Sequence, residues 1–188
     1  MKRLVFATGN PLKLKLAQYA AQGYNVEIIQ KPLNVEEIQS EDPEKIARDK
    51  AAKAFAILGE PLFITDDSWS FPGLNGFPGG YMHSMNVWLS PEDFLRLTLP
   101  LKDRRVILIQ TLVYRDKNGP KKFKNHTEGQ LLKQIRGTSP DHSNHTIITM
   151  PGDNGLSLAE VYQHNQPIAK DRPVGKVWQD FFEWISRQ

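Results

Sequence analysis

The chain of 188 residues contains no cysteine, and none of its apolar runs is long enough to cross a membrane. The lack of cysteine excludes a disulfide framework, a thiol nucleophile and zinc or iron–sulfur sites with thiolate ligands. The N-terminus starts with basic residues, but the apolar stretch behind them is too short for a signal peptide. The sequence therefore predicts a cytoplasmic protein without a membrane partner.

An excess of charge of one sign is also missing, since 24 basic residues face 21 acidic ones and the net charge is only +3. No segment is dominated by lysine and arginine, so the pattern predicts no nucleic-acid partner. Hydrophobic residues make up 39% of the chain and charged residues 24%, which is typical of a globular protein. A basic nucleic-acid-binding domain is a remaining alternative, and steep salt dependence of duplex binding would support it.

Strand and helix signals alternate along the first half of the chain. Apolar runs bounded by turn residues predict strands at 3–8, 25–30, 61–67, 104–115 and 121–135, with a short strand in 146–150. Helical periodicity and capping residues predict helices at 10–21, 40–58, 90–99 and 172–187. Residues 68–88 are predicted to form a long loop. This order predicts a single α/β domain over residues 1–188, with a mixed sheet and flanking helices.

The first apolar strand stops at Thr8, Gly9 and Asn10, and Lys13 follows one turn into the next helix. A glycine turn that opens a helix presents backbone N–H groups and the positive end of the helix dipole, and both favour phosphate. Thr8 and Asn10 add side-chain donors, and Lys13 adds a positive charge. The alternative is a simple N-cap at Asn10 beside a solvated lysine. The P-loop pattern is absent.

Two acidic residues, Asp66 and Asp67, directly follow the third apolar run and precede Ser68. Paired carboxylates at the end of a strand are costly unless a cation compensates them. Mg²⁺ is such a cation, because it binds one or two carboxylates together with phosphate oxygens and water. One carboxylate could also activate an attacking water. The alternative is a polar turn that caps the following loop. Glu37 and Lys50 carry no signal by themselves.

Four segments in one order resemble the Ham1-type inosine triphosphate pyrophosphatases, which are house-cleaning nucleoside triphosphate pyrophosphatases. They read VFATGNPLK, EEIQSEDPEKIARDKA, ITDDSWSFPGLNGFPGGY and LSLAEV. The family pattern T-x-N-x-x-K is matched by Thr8, Asn10 and Lys13. An acid followed by a helix lysine is matched in spacing by Glu37 and Lys50. The acid-Asp-Ser/Thr and G-x-P-G patterns are matched by residues 66–68 and 76–79. Four ordered motifs are far more specific than any one of them.

The resemblance implies an elongated α/β fold with a mixed, twisted sheet and a cleft between two lobes. It implies a homodimer that uses Mg²⁺ to hydrolyse a nucleoside triphosphate between its α- and β-phosphates, giving a monophosphate and pyrophosphate. By the same resemblance, the substrate would be bound by Thr8, Asn10, Lys13, Lys50, Ser68 and Arg172. Glu37 and Asp67 would bind the metal. Asp67 and Lys13 would be catalytic, with Asp67 activating the water.

Three of the family motifs depart from the pattern in this sequence. Leu16 stands where the first motif usually carries a glutamate. The base-reading segment F-G-aromatic-D-P falls on residues 143–147, so Ser143 replaces an aromatic ring and Thr146 replaces the aspartate. Asp171 replaces the histidine of a terminal S-H-R, of which Arg172 survives. These changes predict a base specificity altered from inosine and xanthine, and Asp171 suggests the hypothesis of a base that carries an amino group.

Two alternatives stay open at this point. A non-catalytic nucleotide-binding protein on the same fold is favoured by the departures and disfavoured by the retained motif residues, which are Glu37, Lys50, Asp66 and Asp67. A histidine metal site formed by His142, His145 and His164 is disfavoured by their irregular spacing.

Overall fold

The computed structural model of the protein describes residues 1–163 and 175–188. Its strands are β1 (Lys2–Phe6), β2 (Val26–Gln30), β3 (Leu62–Ser70), β4 (Pro78–Gly79), β5 (Arg105–Asp116), β6 (Gly119–Leu131) and β7 (Ile148–Thr149). Its helices are α1 (Pro11–Ala20), α2 (Pro43–Leu58), α3 (Met82–Trp88), α4 (Pro91–Thr98), α5 (Leu158–Gln163) and α6 (Lys176–Ile185). Two 3₁₀ turns span Pro72–Leu74 and Ser143–Ile147. Among these residues, no helix is both long and apolar enough to span a membrane.

The described strands form one mixed sheet in the order β2-β1-β3-β5-β6-β7, with β4 paired to β3. β1 runs parallel to both β2 and β3, whereas β4 is antiparallel to β3 and β7 is antiparallel to β6. Parallel neighbours need a helical crossover between them, which α1 and α2 supply. The predicted α/β fold with a mixed sheet and flanking helices is confirmed.

The chain divides into two compact units. The first comprises Met1–Asp67, Gln110–Asn125 and the described residues 175–188. The second comprises Ser68–Ile109 and the described residues 126–163. A single domain over residues 1–188 stays a prediction.

The first unit packs a helix layer on each face of its strands. On one face, α1 and α6 cover Phe6 and Phe63, whose rings stack with centroids 4.4 Å apart. Trp178 of α6 meets both rings edge-on, at 5.9 Å and 6.3 Å between centroids. On the other face, the small side chains Ala47, Ala51 and Ala54 of α2 pack on the strands. The two faces of β3 therefore pack against different helices, one face against α1 and α6 and the other against α2.

The helix ends follow the predicted capping chemistry with one change. Asn10 caps α1, since its Oδ1 accepts hydrogen bonds from the N–H groups of Leu12 and Lys13. For α2 the cap is Asp42 instead of the predicted start at Ser40. Ser40 serves one step earlier, with its Oγ accepting from the Asp42 N–H at 3.1 Å. The helix ends at Gly59, whose φ of 65° is readily adopted by glycine.

The structure corrects several predicted boundaries. β3 continues to Ser70, beyond its predicted end at residue 67, so Asp66 and Asp67 lie in the strand as predicted, and Ser68, which was predicted in the loop, lies in it too. The reason is tertiary, since Trp69 and Ser70 pair with Gly79 and Pro78 of β4. The predicted loop at 68–88 contains the first 3₁₀ turn, β4 and α3, and residues 143–163 contain an unpredicted 3₁₀ turn and α5. Within the described residues, the closing helix starts at Lys176.

Candidate active site

The two adjacent carboxylates of β3 lie on opposite faces of the sheet. Side chains alternate along a strand, so Asp67 shares the face of Phe63, which α1 and α6 cover. Asp66 shares the face of Ile64, which α2 covers. One helix on each face carries a motif lysine, since Lys13 lies on α1 and Lys50 lies on α2. Strand alternation therefore places one carboxylate on the side of each lysine-bearing helix.

On the α1 face, Lys13 and Asp67 form an ion pair. The Nζ of Lys13 lies 3.5 Å from Oδ2 of Asp67 and donates to the backbone carbonyl of Thr65 at 3.2 Å. The two side chains are 23% and 30% exposed, so the pair is sheltered but still reachable from solvent. This geometry joins two residues that the sequence predicts as catalytic.

On the α2 face, Lys50 forms an ion pair with Glu37, the acid from the loop before the helix. The half-buried Asp66 feels both pairs. Burial raises the pKa of its carboxyl to about 6, while the charges of Lys13 and Lys50 oppose that rise and those of Asp67 and Glu37 add to it. The charges of all four predicted site residues therefore influence the protonation of Asp66.

The turn at Thr8–Asn10 uses part of its hydrogen-bonding capacity within the protein. The Thr8 Oγ1 accepts from the Asn10 N–H at 3.1 Å, and the Asn10 Oδ1 accepts from Leu12 and Lys13 at 2.8 Å and 3.2 Å. Three of the N–H groups predicted to face phosphate thus have side-chain acceptors. The side-chain donors that this turn can offer a phosphate are the Thr8 hydroxyl, the Asn10 amide Nδ2 and the Lys13 ammonium.

Four further positions named in the sequence analysis have different outcomes. Ser68 is 2% exposed, and its Oγ has no hydrogen-bond partner among the described residues. Arg172 and Asp171 lie outside the described residues. Leu16, at the position of the missing acid, packs against the apolar cluster beneath α1 and α6. The substitution thus adds an apolar side chain to the core.

Gln110 of β5 also contacts Asp67, although none of the sequence motifs includes it. Its Nε2 donates to the Oδ1 of Asp67 at 3.4 Å. β5 is the neighbour of β3 in the sheet, which brings together two residues far apart in the chain. A signal was present, because a glutamine in the middle of RVILIQTLVYR interrupts a run of buried apolar side chains.

No group of three histidine or acidic side chains within the described part of the chain could hold a metal ion by itself. Mg²⁺ that arrives with a triphosphate needs only one or two protein carboxylates, because phosphate oxygens and water complete its shell. Asp67, Asp66 and Glu37 supply hard oxygen donors of the kind that Mg²⁺ prefers. These residues therefore fit a metal that is shared with the substrate.

The predicted base-reading segment lies in the second unit and is buried throughout. Ser143, Asn144, His145 and Thr146 are all at least nine-tenths buried. The rings of His142, Trp69 and Tyr162 surround that of His145, at centroid distances of 4.6 Å, 6.2 Å and 5.5 Å. Burial lowers the pKa of His145 to about 3, so its imidazole is neutral. His164 lies outside the described residues.

Unsatisfied polar atoms distinguish this segment. Both polar atoms of the Asn144 side chain and the Nδ1 of His145 are buried without a hydrogen-bond partner among the described residues. The backbone is held instead, since the Asn144 N–H donates to the Asn86 Oδ1 at 3.1 Å. A buried amide without partners is unusual in native proteins and calls for an explanation such as a ligand or an ordered water.

Two solved structures share this fold over nearly the whole chain. The Ham1 protein of Coxiella burnetii has a TM-score of 0.79 at 18% identity and covers 100% of both chains. The Ham1 protein of Staphylococcus aureus has a TM-score of 0.72 at 21% identity, covering 98% of this chain and 100% of its own. The fold is therefore that of the Ham1 proteins.

The sequence matches the Ham1 family profile over residues 4–167, so the chain belongs to the Ham1 family. A relative from Methanopyrus kandleri, a dITP/XTP pyrophosphatase, is 29% identical over 185 residues, covering 98% of this chain and 96% of its own. A second relative, the inosine triphosphate pyrophosphatase of Candida glabrata, is 33% identical over 136 residues, covering 69% and 71%. The resemblance inferred from the four sequence motifs is confirmed.

Proposed function

We propose that this protein is a Mg²⁺-dependent nucleoside triphosphate pyrophosphatase that hydrolyses a ribo- or deoxyribonucleotide substrate to its monophosphate and pyrophosphate. The observation that carries the proposal is the presence of the Lys13–Asp67 and Glu37–Lys50 ion pairs, whose charges both influence Asp66. Two ammonium groups beside three carboxylates suit a polyphosphate that arrives with a divalent cation. The activities of the relatives support the same reaction class.

The roles of the residues follow from their charges and positions. Lys13 and Lys50 would attract the phosphate oxygens, with the Thr8 hydroxyl and the Asn10 amide donating hydrogen bonds to them. Asp67 would accept a proton from the attacking water as the water oxygen bonds to the α-phosphorus. The bond from that phosphorus to the bridging oxygen would break, and pyrophosphate would leave with the electron pair. Positioning and charge neutralisation would do most of the work.

Glu37 and Asp67 are the residues that we propose to hold Mg²⁺, with Asp66 as the third nearby carboxylate. When bound, the cation would neutralise charge on the phosphate oxygens. In its absence the same carboxylates are neutralised by Lys13 and Lys50.

The reaction is tested by measuring pyrophosphate release from a panel of nucleoside triphosphates with Mg²⁺ and with EDTA. The panel contains ITP, XTP, the standard ribo- and deoxyribonucleotides, and amino-modified and methylated bases. We expect Mg²⁺-dependent turnover of one or a few of them. Nucleotide binding without release from any substrate would instead support a non-catalytic nucleotide-binding protein, the alternative that the Leu16 and 143–147 departures favour.

We further propose that the base specificity is altered from inosine and xanthine, as the residues of the segment 143–147 suggest. Asn144 gives a direct test, because replacing an unsatisfied buried amide with an apolar group of similar size removes a desolvation cost of about 1–3 kcal/mol. We expect Asn144→Leu to raise the unfolding midpoint and to change the ratios of kcat/KM among the panel substrates. Asn34→Leu, at an exposed position, is the matched control. A lower midpoint with unchanged ratios would contradict the prediction.

We also propose that the protein is a cytoplasmic homodimer. The dimer rests on the family resemblance and is consistent with exposed apolar side chains in the second unit, including Val87 and Trp88 at 70% and 72% exposure. Light scattering coupled to size exclusion would give the oligomeric state directly. The absence of cysteine suits a reducing compartment.

A further inference from the structure

Gln110 is a buried polar residue whose presence packing does not explain. It lies in β5 on the face of Leu112 and Tyr114, which contribute to the apolar cluster beneath α1 and α6. Gln110 is only 5% exposed. Burying a primary amide costs free energy unless its donor and acceptor find partners, so an apolar residue would fit this strand better.

One of the two polar atoms of the Gln110 amide contacts Asp67. The Nε2 of Gln110 donates to Oδ1 of Asp67 at 3.4 Å, while Oδ2 of Asp67 lies 3.5 Å from the Lys13 Nζ. Both oxygens of the carboxylate are thus held, one by an amide and one by an ammonium. An ionised carboxylate only accepts hydrogen bonds, which sets the orientation of the amide with its NH₂ group toward Asp67.

The other polar atom of the amide is its oxygen, which can accept hydrogen bonds. The Oε1 of Gln110 is buried and has no hydrogen-bond partner among the described residues. Oε1 and Nε2 are bonded to the same carbon of the Gln110 side chain, so Oε1 lies close to the atom that contacts Asp67. A donor placed between Oε1 and Asp67 would satisfy both acceptors, and a water molecule has two protons with which to do so.

We propose that Gln110 positions the attacking water together with Asp67, an inference that rests on the proposed pyrophosphatase reaction. One O–H of the water donates to Oε1 of Gln110, and the other donates to the carboxylate of Asp67. As the water oxygen bonds to the α-phosphorus, Asp67 takes one proton and pyrophosphate leaves with the electron pair of the broken P–O bond. Gln110 neither gains nor loses a proton, since a neutral amide does not act as a base near neutral pH.

The test is a kinetic comparison of Gln110→Leu with the wild-type enzyme on the preferred substrate of the panel. Loss of the positioning contact is expected to lower kcat by about 10²-fold, as misplacement of a reacting group by about 1 Å does, and to leave KM unchanged. Thr111→Val is the matched control, because Thr111 is also buried, its Oγ1 has no hydrogen-bond partner in the described part of the chain, and its side chain points to the opposite face of β5. It should retain the wild-type kcat.

A double-mutant cycle separates positioning through Asp67 from a general structural effect. If Gln110 acts with Asp67, the Asp67→Asn/Gln110→Leu double variant loses no more activity than Asp67→Asn alone. Additive losses, an unchanged kcat in Gln110→Leu, or an equal loss in Thr111→Val would each overturn the inference. Failure of the proposed function is distinguishable, because the wild-type protein would then release no pyrophosphate from any nucleotide.

Discussion

Asp67→Asn is expected to lower kcat for pyrophosphate release by about 10²- to 10⁴-fold, the usual contribution of a positioned general base. Asparagine has nearly the same shape, but it cannot take the proton of the attacking water and it binds Mg²⁺ poorly. It would still accept from Lys13 through its amide oxygen, so the 3.5 Å contact of the native pair is not lost by geometry alone. The measurement is initial-rate kinetics at several Mg²⁺ concentrations.

The Mg²⁺ series divides the two roles proposed for Asp67. If the residue mainly holds the cation, raising the Mg²⁺ concentration restores much of the rate, whereas the loss of a base is not restored. Asp141→Asn, at an exposed position of the second unit, makes the same chemical change away from the site and should keep full activity. Retention of wild-type kcat in Asp67→Asn at all Mg²⁺ concentrations would remove Asp67 from the proposed reaction.

Lys13→Met is expected to lower kcat/KM by about 10²- to 10³-fold, comparable to removing one preorganised donor from a transition-state site. Methionine keeps most of the length and apolar volume of the side chain while removing the charge that would face the phosphates. It also removes the cation that holds down the raised pKa of Asp66, so the Asp66 carboxyl should stay protonated to higher pH than in the wild-type protein. Kinetics and an NMR titration measure the two effects.

Lys15→Met supplies the matched control, since Lys15 lies on the same helix at an exposed position. Lys13→Arg retains the charge but changes its geometry, so it should recover part of the binding and less of the rate. A Lys13→Met variant that binds and turns over nucleotide as well as Lys15→Met would contradict the assignment. Thermal unfolding of each variant identifies losses that come from misfolding.

Local patterns were sufficient for most of the elements that position the site. β1, α1, β2 and α2 lie within a few residues of their predicted bounds, because hydrophobic periodicity, the Asn10 cap and the Gly59 stop act over one or two turns of chain. The four motifs were readable for the same reason. They are short, and their order along the chain already identified the Ham1 family.

The end of β3 could not be predicted from the local sequence. Asp66, Asp67 and Ser68 look like the end of a strand, since polar residues follow an apolar run. They continue the strand because β4 pairs with it at Trp69 and Ser70. The elements inside 68–88 and 143–163 were missed for a similar reason, as their helices are short and depend on burial in the second unit.

The sequence by itself determined the family, the α/β order of elements and the residues of the phosphate and acid motifs. Tertiary structure decided how these residues are combined, with Asp67 beside Lys13 on one face of the sheet and Glu37 beside Lys50. It also brought in Gln110 from a strand more than forty residues away and left the Asn144 side-chain amide buried without a hydrogen-bond partner among the described residues. The physical reason is range: caps and periodicity act between near neighbours, whereas burial and side-chain pairing depend on which strands and helices pack together.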